Sequence, residues 1–343
     1  MSEISTHTTI HRQLKTFVKW IAPESETRAK IQAQGTELID RVTAKAEEDG
    51  LTVVKVVYSG SFDKDSGLRR FMRGHSVIEG QDVDIAFIIK DKDKKSNSLG
   101  CVIDKFKGYL KASYPDSERG ETKSSATICF TGTKLRFDVV PLFETSKPDI
   151  QLLKRSDGST RTTSVIKHAS FIKNRKASSD KIDGVVRFNE CLRLIKWWKY
   201  EQQEHSGIFG NEKGDDKIPS FLLDLLCAAA YDNRSVDKTY ATTLAKWFGY
   251  IANVVRNKKD VVFGGAIPAN STALWKVIDP VDSSNNIVAN WSNAKINELA
   301  NWFEKARDEM NKAIRYDDEG DEVACKECLV KLFGNAFKNN SEA

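Results

Sequence analysis

Residues Tyr58 to Asp84 read YSGSFDKDSGLRRFMRGHSVIEGQDVD, and this stretch decides the fold. Its approach, Leu51 to Tyr58 (LTVVKVVY), is rich in β-branched residues and reads as a strand. Its exit, Val83 to Ile89 (VDIAFII), is a nearly continuous apolar run of strand length. Gly60 and Ser61 sit where the first strand ends and a helix opens. A helix start presents unpaired N–H groups and the positive end of the helix dipole, a ready seat for phosphate oxygens. Gly60 permits close backbone approach there, and Ser61 adds a hydroxyl donor. Taken alone, Gly-Ser before a helix is more often an ordinary capped turn.

Asp82 and Asp84 change that balance. Residues i and i+2 of a strand point to one face, roughly 6.6 Å apart along the chain. Two carboxylates so placed can grip a pair of divalent ions about 4 Å apart. Val83 and Ile85 then face the core, which makes the strand acidic on one side and apolar on the other. The competing reading is an exposed strand with two solvated acids. Against it, Asp is depleted in strands and like charges on one face repel, so a cation is expected between them. A third acid lies in Leu135 to Val140 (LRFDVV), where Arg136, Asp138 and Val140 share the face opposite Leu135, Phe137 and Val139. Should that strand lie beside the first, Asp138 completes a three-carboxylate cluster able to ligate metal and help deprotonate a sugar hydroxyl. By itself Asp138 is more often a plain surface acid.

Outward from this centre, residues 8 to 48 have helical spacing interrupted at Pro23. Gly100 to Ser113 is helical, and Ala126 to Phe130 with Leu135 to Val140 makes a hairpin turned at Thr131-Gly132-Thr133. Residues 1–165 therefore read as an α/β unit on a mixed or mostly antiparallel sheet. Beyond it the strand signals almost vanish, and five segments between Val185 and Phe337 favour helix. Glu201 to Ile218 reads as an exposed loop, and residues 317–322 (DDEGDE) as a solvated turn.

The 343 residues carry 53 Lys+Arg against 48 Asp+Glu, a net charge of +5 that leaves the partner undecided. Seventeen Phe, seven Trp and eight Tyr exclude a disordered chain. No apolar run approaches the roughly 18 to 20 residues of a membrane span, and the N-terminus lacks a secretory h-region, so a cytoplasmic protein is expected. Six scattered cysteines read as reduced, buried thiols; Cys325 and Cys328 form a CxxC, but no partner motif completes a zinc set.

Strand, Gly-Ser, Asp-x-Asp strand and a later strand Asp, in this order, resembles the polymerase-β-type nucleotidyltransferases. Within them the chain is similar to the branch of oligoadenylate synthases, cyclic GMP–AMP synthase and their bacterial relatives, the CD-NTases, over roughly residues 40 to 338. The resemblance implies an α+β protein, with a polymerase-β-like mixed-sheet lobe (1–165, with the N-terminal helices) and an all-helical oligoadenylate synthase-like lobe (166–343). The family's motif matches Gly60 and Ser61; its usual Thr five positions on is Ser66, which keeps the hydroxyl. The metal-binding triad matches Asp82, Asp84 and Asp138. The interval from Gly60 to Asp82 is longer than in many members because of Arg69 to Gly80, expected as a loop beside the active site.

In the helical half, Glu190 to Lys199 (ECLRLIKWWK) resembles the family's spine helix. Arg193, Lys196 and Lys199 form a basic stripe whose plain reading is a solvated face. By the resemblance, Lys196 is the triphosphate-binding Lys, with Lys199 second. Ser220 matches a phosphate-contacting Ser, or it is the N-cap of SFLLDLLCAAAY, or both. Asp224, in that greasy helix, needs a buried partner, expected to be a Lys, Arg or backbone N–H with a structural task. Val277 to Trp291 resembles the family's Asp-Pro…Asn-Asn segment and reads as turn and cap architecture. Lys167 to Lys176 is the one dense basic stretch, a linker or a solvated face.

The resemblance implies a cyclic oligonucleotide synthase of bacterial antiphage (CBASS) signalling. It would join NTPs, ATP among them, into a cyclic di- or trinucleotide that switches on a separate effector. It would use two Mg²⁺ or Mn²⁺ ions and need neither membrane nor nucleic acid, while dependence on an activating protein stays open. The alternatives are a nucleotidyltransferase acting on an RNA, protein or antibiotic acceptor, and a catalytically silent nucleotide-binding sensor.

Overall fold

The computed structural model describes residues 9–73, 76–79, 82–90, 100–133, 135–155, 158–181, 186–203, 206, 218–264 and 272–342. Pro23 lies between α1 (Thr9–Ile21) and α2 (Ser25–Glu48), as its missing N–H and fixed φ lead one to expect. Then come β1 (Val53–Ser59), α3 (Gly60–Asp63), β2 (Arg70–Arg73), β3 (Ser76–Glu79) and β4 (Asp82–Ile89). After them follow α4 (Gly100–Ser113), β5 (Glu118–Glu121), β6 (Ala126–Cys129), β7 (Arg136–Glu144), β8 (Gln151–Lys154) and β9 (Thr160–Thr163). The rest is helical: α5 (Val165–Ser179), α6 (Phe188–Gln203), α7 (Ser220–Arg234), α8 (Tyr240–Arg256), α9 (Asn293–Asp318) and α10 (Glu322–Asn340). The chain packs as two compact units: Pro23–Arg69 with Glu79–Phe171, and Met1–Ala22 with Arg70–Ile78 and Ile172–Ala343.

The first unit is built on a mixed sheet of order β1-β4-β7-β6-β5, with β8 paired to β7 and β9 to β8. β4 and β7 run parallel; the other pairings in this sheet are antiparallel. β7 has nine residues, and the edge away from β4 is shared between β6, opposite Arg136 to Val139, and β8, opposite Leu142 to Glu144. Pro141 falls in the gap between these partners, where a missing N–H breaks no ladder bond on that side. Strand alternation sorts β4 cleanly. Val83, Ile85, Phe87 and Ile89 enter a core with Ile31, Leu38 and Val42 of α2 and Phe106 and Leu110 of α4. Ala86 and Ile88 pack with Leu142 on the opposite face, which further back along the strand carries Asp84.

The second unit is a helical assembly around aromatic side chains. Phe17 of α1 meets Trp197 of α6 edge-on at 5.6 Å and Phe337 of α10 at 5.1 Å. Trp198, on the next position of α6, packs on Phe248 of α8 and Phe303 of α9. The Trp197 indole N–H donates to the Phe333 carbonyl, which satisfies the one polar atom this ring buries. Within Arg69 to Gly80, expected as a loop, the described residues 70–73 and 76–79 instead form β2 and β3, paired as a small two-stranded sheet whose first strand lies against α6. The basic stretch 167–176 is part of α5. Glu201 to Gln203 continues α6; most of the loop expected after it lies outside the described residues. Asp279 accepts from Val281 and Asp282 N–H, and Asn286 accepts from Val277 and donates to Trp275. The Asp-Pro…Asn-Asn segment thus forms its own turns.

Candidate active site

In the sheet unit the sequence candidates fall into one cross-strand row. Ser59 of β1 is the register partner of Asp84, Asp84 that of Asp138, and Asp138 that of Thr127 on β6. Register partners in adjacent strands face the same way about 4.8 Å apart, so Asp84 and Asp138 stand side by side on one face. Asp82 precedes Asp84 by two on β4 and is the partner of Arg136, which places its Cα on the same face in the next row; its side chain lies outside the described residues. The condition set on the sequence, that the two acid-bearing strands be neighbours, is met.

Two carboxylates at this spacing repel, and the neighbours answer part of that charge. Arg136 Nε lies 3.6 Å from Asp138 Oδ1. Thr127 Oγ1 donates to the same oxygen at 2.7 Å. The Gly-Ser turn meets the row from β1. Gly60 has φ +62°, the left-handed region, and a Cβ there would overlap the Asp84 carboxylate. Only glycine serves both demands, so the turn and the acidic strand are in direct contact.

The helix that Gly60 opens is one turn of four residues, too short for much macrodipole. Its support comes from α2, where Arg28 lies 4.7 Å over the Phe62 ring and 3.4 Å from Asp65 Oδ1. Ser61 is half-buried at its start. Ser66 is fully buried, and its N–H donates to the Ser61 carbonyl at 3.0 Å, closing the turn. Ser66 thus shapes the loop from behind and does not front onto solvent.

In the helical unit the basic stripe is not a solvated face. Arg193, Lys196 and Lys199 are all buried in α6. Lys196 Nζ lies 2.9 Å from Asp224 Oδ1 of α7, which is the buried partner that the greasy helix required. Lys199 Nζ donates to the Ile218 carbonyl at 3.5 Å and sits 4.4 Å over the Tyr200 ring. Ser220 is exposed as the first residue of α7; the cap position is Pro219, which makes no side-chain cap bond, so Ser220 is not the N-cap expected.

Sequence reasoning missed Thr127. Its signal was available, since a hairpin whose strands end at Phe130 and Leu135 places Thr127 opposite Asp138 when the register is counted back from the turn. Among the described residues no three His, Cys, Asp or Glu side chains are gathered as a metal centre, Asp82 not being counted. The cysteines at 129, 191, 227, 325 and 328 are free, and all but Cys129 are buried. Burial, chiefly, pushes the Cys325 thiol up to about 12.

A mixed sheet with three strand acids, a Gly-Ser turn against one of them and a helical second unit define a polymerase-β-like nucleotidyltransferase. Residues 8–175 match the model of the Second Messenger Oligonucleotide or Dinucleotide Synthetase domain, and the chain belongs to the bacterial CD-NTases. It is 24% identical over 306 residues to the cyclic AMP-AMP-AMP synthase of Escherichia coli strain MS 115-1, covering 85% of this chain and 86% of that one. It is 26% identical over 324 residues to the CBASS oligonucleotide cyclase CdnC of E. coli strain KTE188, covering 91% and 92%. The fold matches solved structures of E. coli MS115-1 CdnC, with ATP and in complex with HORMA-deltaN. Both give a TM-score of 0.76 at 22% identity over 95% of this chain and 98% of theirs.

Proposed function

We propose that this chain is a cyclic oligonucleotide synthase of CBASS signalling, joining NTPs into a cyclic di- or trinucleotide with release of pyrophosphate. The observation that carries the reading is the row itself, Asp84 beside Asp138 with the Gly60 backbone packed on Asp84. Such hard oxygen donors on one sheet face, with Asp82 two residues back, suit Mg²⁺ or Mn²⁺. Two ions held by Asp82, Asp84 and Asp138 would make the sugar hydroxyl a stronger nucleophile and neutralise charge on the triphosphate.

The chain's own residues do the rest. Asp138 accepts the proton of the attacking ribose hydroxyl; the new bond joins that oxygen to the α-phosphorus, and the bond to the β-phosphate oxygen breaks as pyrophosphate departs. Gly60 and Ser61 hold phosphate oxygens, Gly60 by leaving room and Ser61 by its hydroxyl, and Ser66 keeps their turn in shape. Lys196, Lys199 and Ser220 are the phosphate contacts proposed for the helical unit. ATP is the first substrate to test. A HORMA-type protein is the first candidate activator, because the CdnC relative forms such a complex.

The test is to incubate the pure protein with the four NTPs and Mg²⁺ or Mn²⁺, with and without a HORMA protein, and to analyse products by mass spectrometry. Phosphatase-resistant cyclic products that vanish in Asp82→Asn and Asp138→Asn support the reading. Labelling of an added tRNA, protein or aminoglycoside instead would move the chain to another nucleotidyltransferase class. Absence of any product together with intact nucleotide binding would favour the silent sensor.

A further inference from the structure

The Asp138 carboxylate is gripped from one side. Thr127 Oγ1 donates to Oδ1 at 2.7 Å, and Arg136 Nε approaches that same oxygen at 3.6 Å; neither contact is to Oδ2. Thr127 is buried, so its hydroxyl is withdrawn from solvent and has the carboxylate as partner. On the far side of Thr127, β5 presents Gly120 as register partner, which has no side chain to compete for the hydroxyl. A β-branched residue on a paired strand has little χ1 freedom, so the donor is fixed by the backbone of β6.

The geometry points to Thr127 as a positioning residue for Asp138: its hydroxyl locks Oδ1, sets the carboxylate plane and leaves Oδ2 to face metal and the attacking hydroxyl. This rests on the proposed function in so far as Asp138 is taken as a metal ligand. Hydrogen bonds from behind a ligating carboxylate orient it, and losing such a partner typically costs 10- to 100-fold in metal affinity or activity. Arg136 is placed to neutralise charge but is half-exposed and farther away, so it cannot fix the rotamer as Thr127 does.

The test uses Thr127→Val, which keeps the shape and removes the donor, and Thr127→Ser, which keeps the donor. Mn²⁺ binding is followed by electron paramagnetic resonance with a non-hydrolysable ATP analogue present, beside kcat, the KM for ATP and thermal unfolding. In Thr127→Val we expect Mn²⁺ affinity and kcat to fall about 10-fold or more, with the KM for ATP unchanged. Thr127→Ser should stay within about 3-fold of wild type, and Thr127→Val should add no further loss of Mn²⁺ affinity in an Asp138→Asn background. If Thr127→Val unfolds, Thr127→Ala removes the same donor and carries the same expectations. Wild-type Mn²⁺ affinity in the donor-less variants would overturn the inference, as would equal impairment in Thr127→Ser or an undiminished further loss on top of Asp138→Asn. If wild type binds Mn²⁺ through Asp138 while the donor-less variants are unchanged, this inference alone fails. If wild type binds no Mn²⁺ and makes no product, the functional reading fails first and takes the inference with it.

Discussion

Lys196 of α6 and Asp224 of α7 form an ion pair at 2.9 Å with side chains only 7% and 4% exposed. Two charges at that depth are tolerable because each answers the other; removing one leaves an uncompensated buried charge. The pair joins the two helices, and it holds the ammonium of the residue proposed to meet triphosphate.

Asp224→Ala should therefore destabilise the protein by about 3–5 kcal/mol, while Lys196→Met combined with Asp224→Leu should recover most of that loss. Urea denaturation of the three proteins checks both. A separate titration with ATP tests the nucleotide role: Lys196→Ala should weaken binding more than its effect on the folded fraction explains. Undiminished ATP affinity in folded Lys196→Ala would move the phosphate contact to Lys199 or remove it.

Gly60→Ala should impair turnover far more than stability. The left-handed backbone costs a non-glycine residue about 1–2 kcal/mol. The larger effect is that the new methyl must displace the Asp84 carboxylate it would overlap. A displacement of that order at a reacting centre can cost roughly 100-fold in rate. Steady-state pyrophosphate release beside a melting curve separates the two; a fully active Gly60→Ala would show that the contact with Asp84 has no functional weight.

Gly334 interrupts α10 with φ +74° and ψ −172°, and a Cβ there would run into the Glu201 carboxylate at the end of α6. Neither Gly334 nor Glu201 is among the residues proposed to hold metal or phosphate, so Gly334→Ala should lower the melting temperature while leaving the KM for ATP of the folded fraction unchanged. The backbone strain alone is on the order of 1–3 kcal/mol, because this combination of φ and ψ is open essentially to glycine only. A variant as stable as wild type would mean that α10 straightens without penalty.

These positions differ in how far the sequence announced them. β4, β6 and β7 were legible because one face is apolar and alternation shows it. β5 (ERGE) and β9 (TRTT) have no apolar face to betray them, and they exist because a neighbouring strand's N–H and C=O groups need partners. β2 (RFMR) and β3 (SVIE) were hidden for another reason: each is four residues long with its two apolar residues adjacent, so no alternation marks a face. Chemistry made Asp82, Asp84 and Asp138 visible, since acids are costly on a strand. The pairing of Asp84 with Asp138 and the choice of Lys196 as Asp224's partner depend on register and helix packing between segments distant in sequence. No local pattern encodes those.

The cysteines allow a prediction about alkaline pH. Only the thiolate reacts, and burial, chiefly, raises the thiols of Cys191, Cys227 and Cys325, the last to about 12. At pH 8 iodoacetamide should therefore label half-buried Cys129 ahead of these three in the native protein, and all of them after unfolding. The sign of the stability effect follows from proton binding. A thiol with a raised native pKa keeps its proton in the folded chain after the unfolded chain has released it. The stabilisation is thus fully present below the unfolded value near 9 and is lost as pH climbs toward 12. Within that window each such thiol adds a slope of about 1.4 kcal/mol per pH unit to the decline. Cys325→Ala should show a shallower decline than wild type between pH 9 and 11 in urea denaturation; parallel slopes would mean that Cys325 titrates alike in both states.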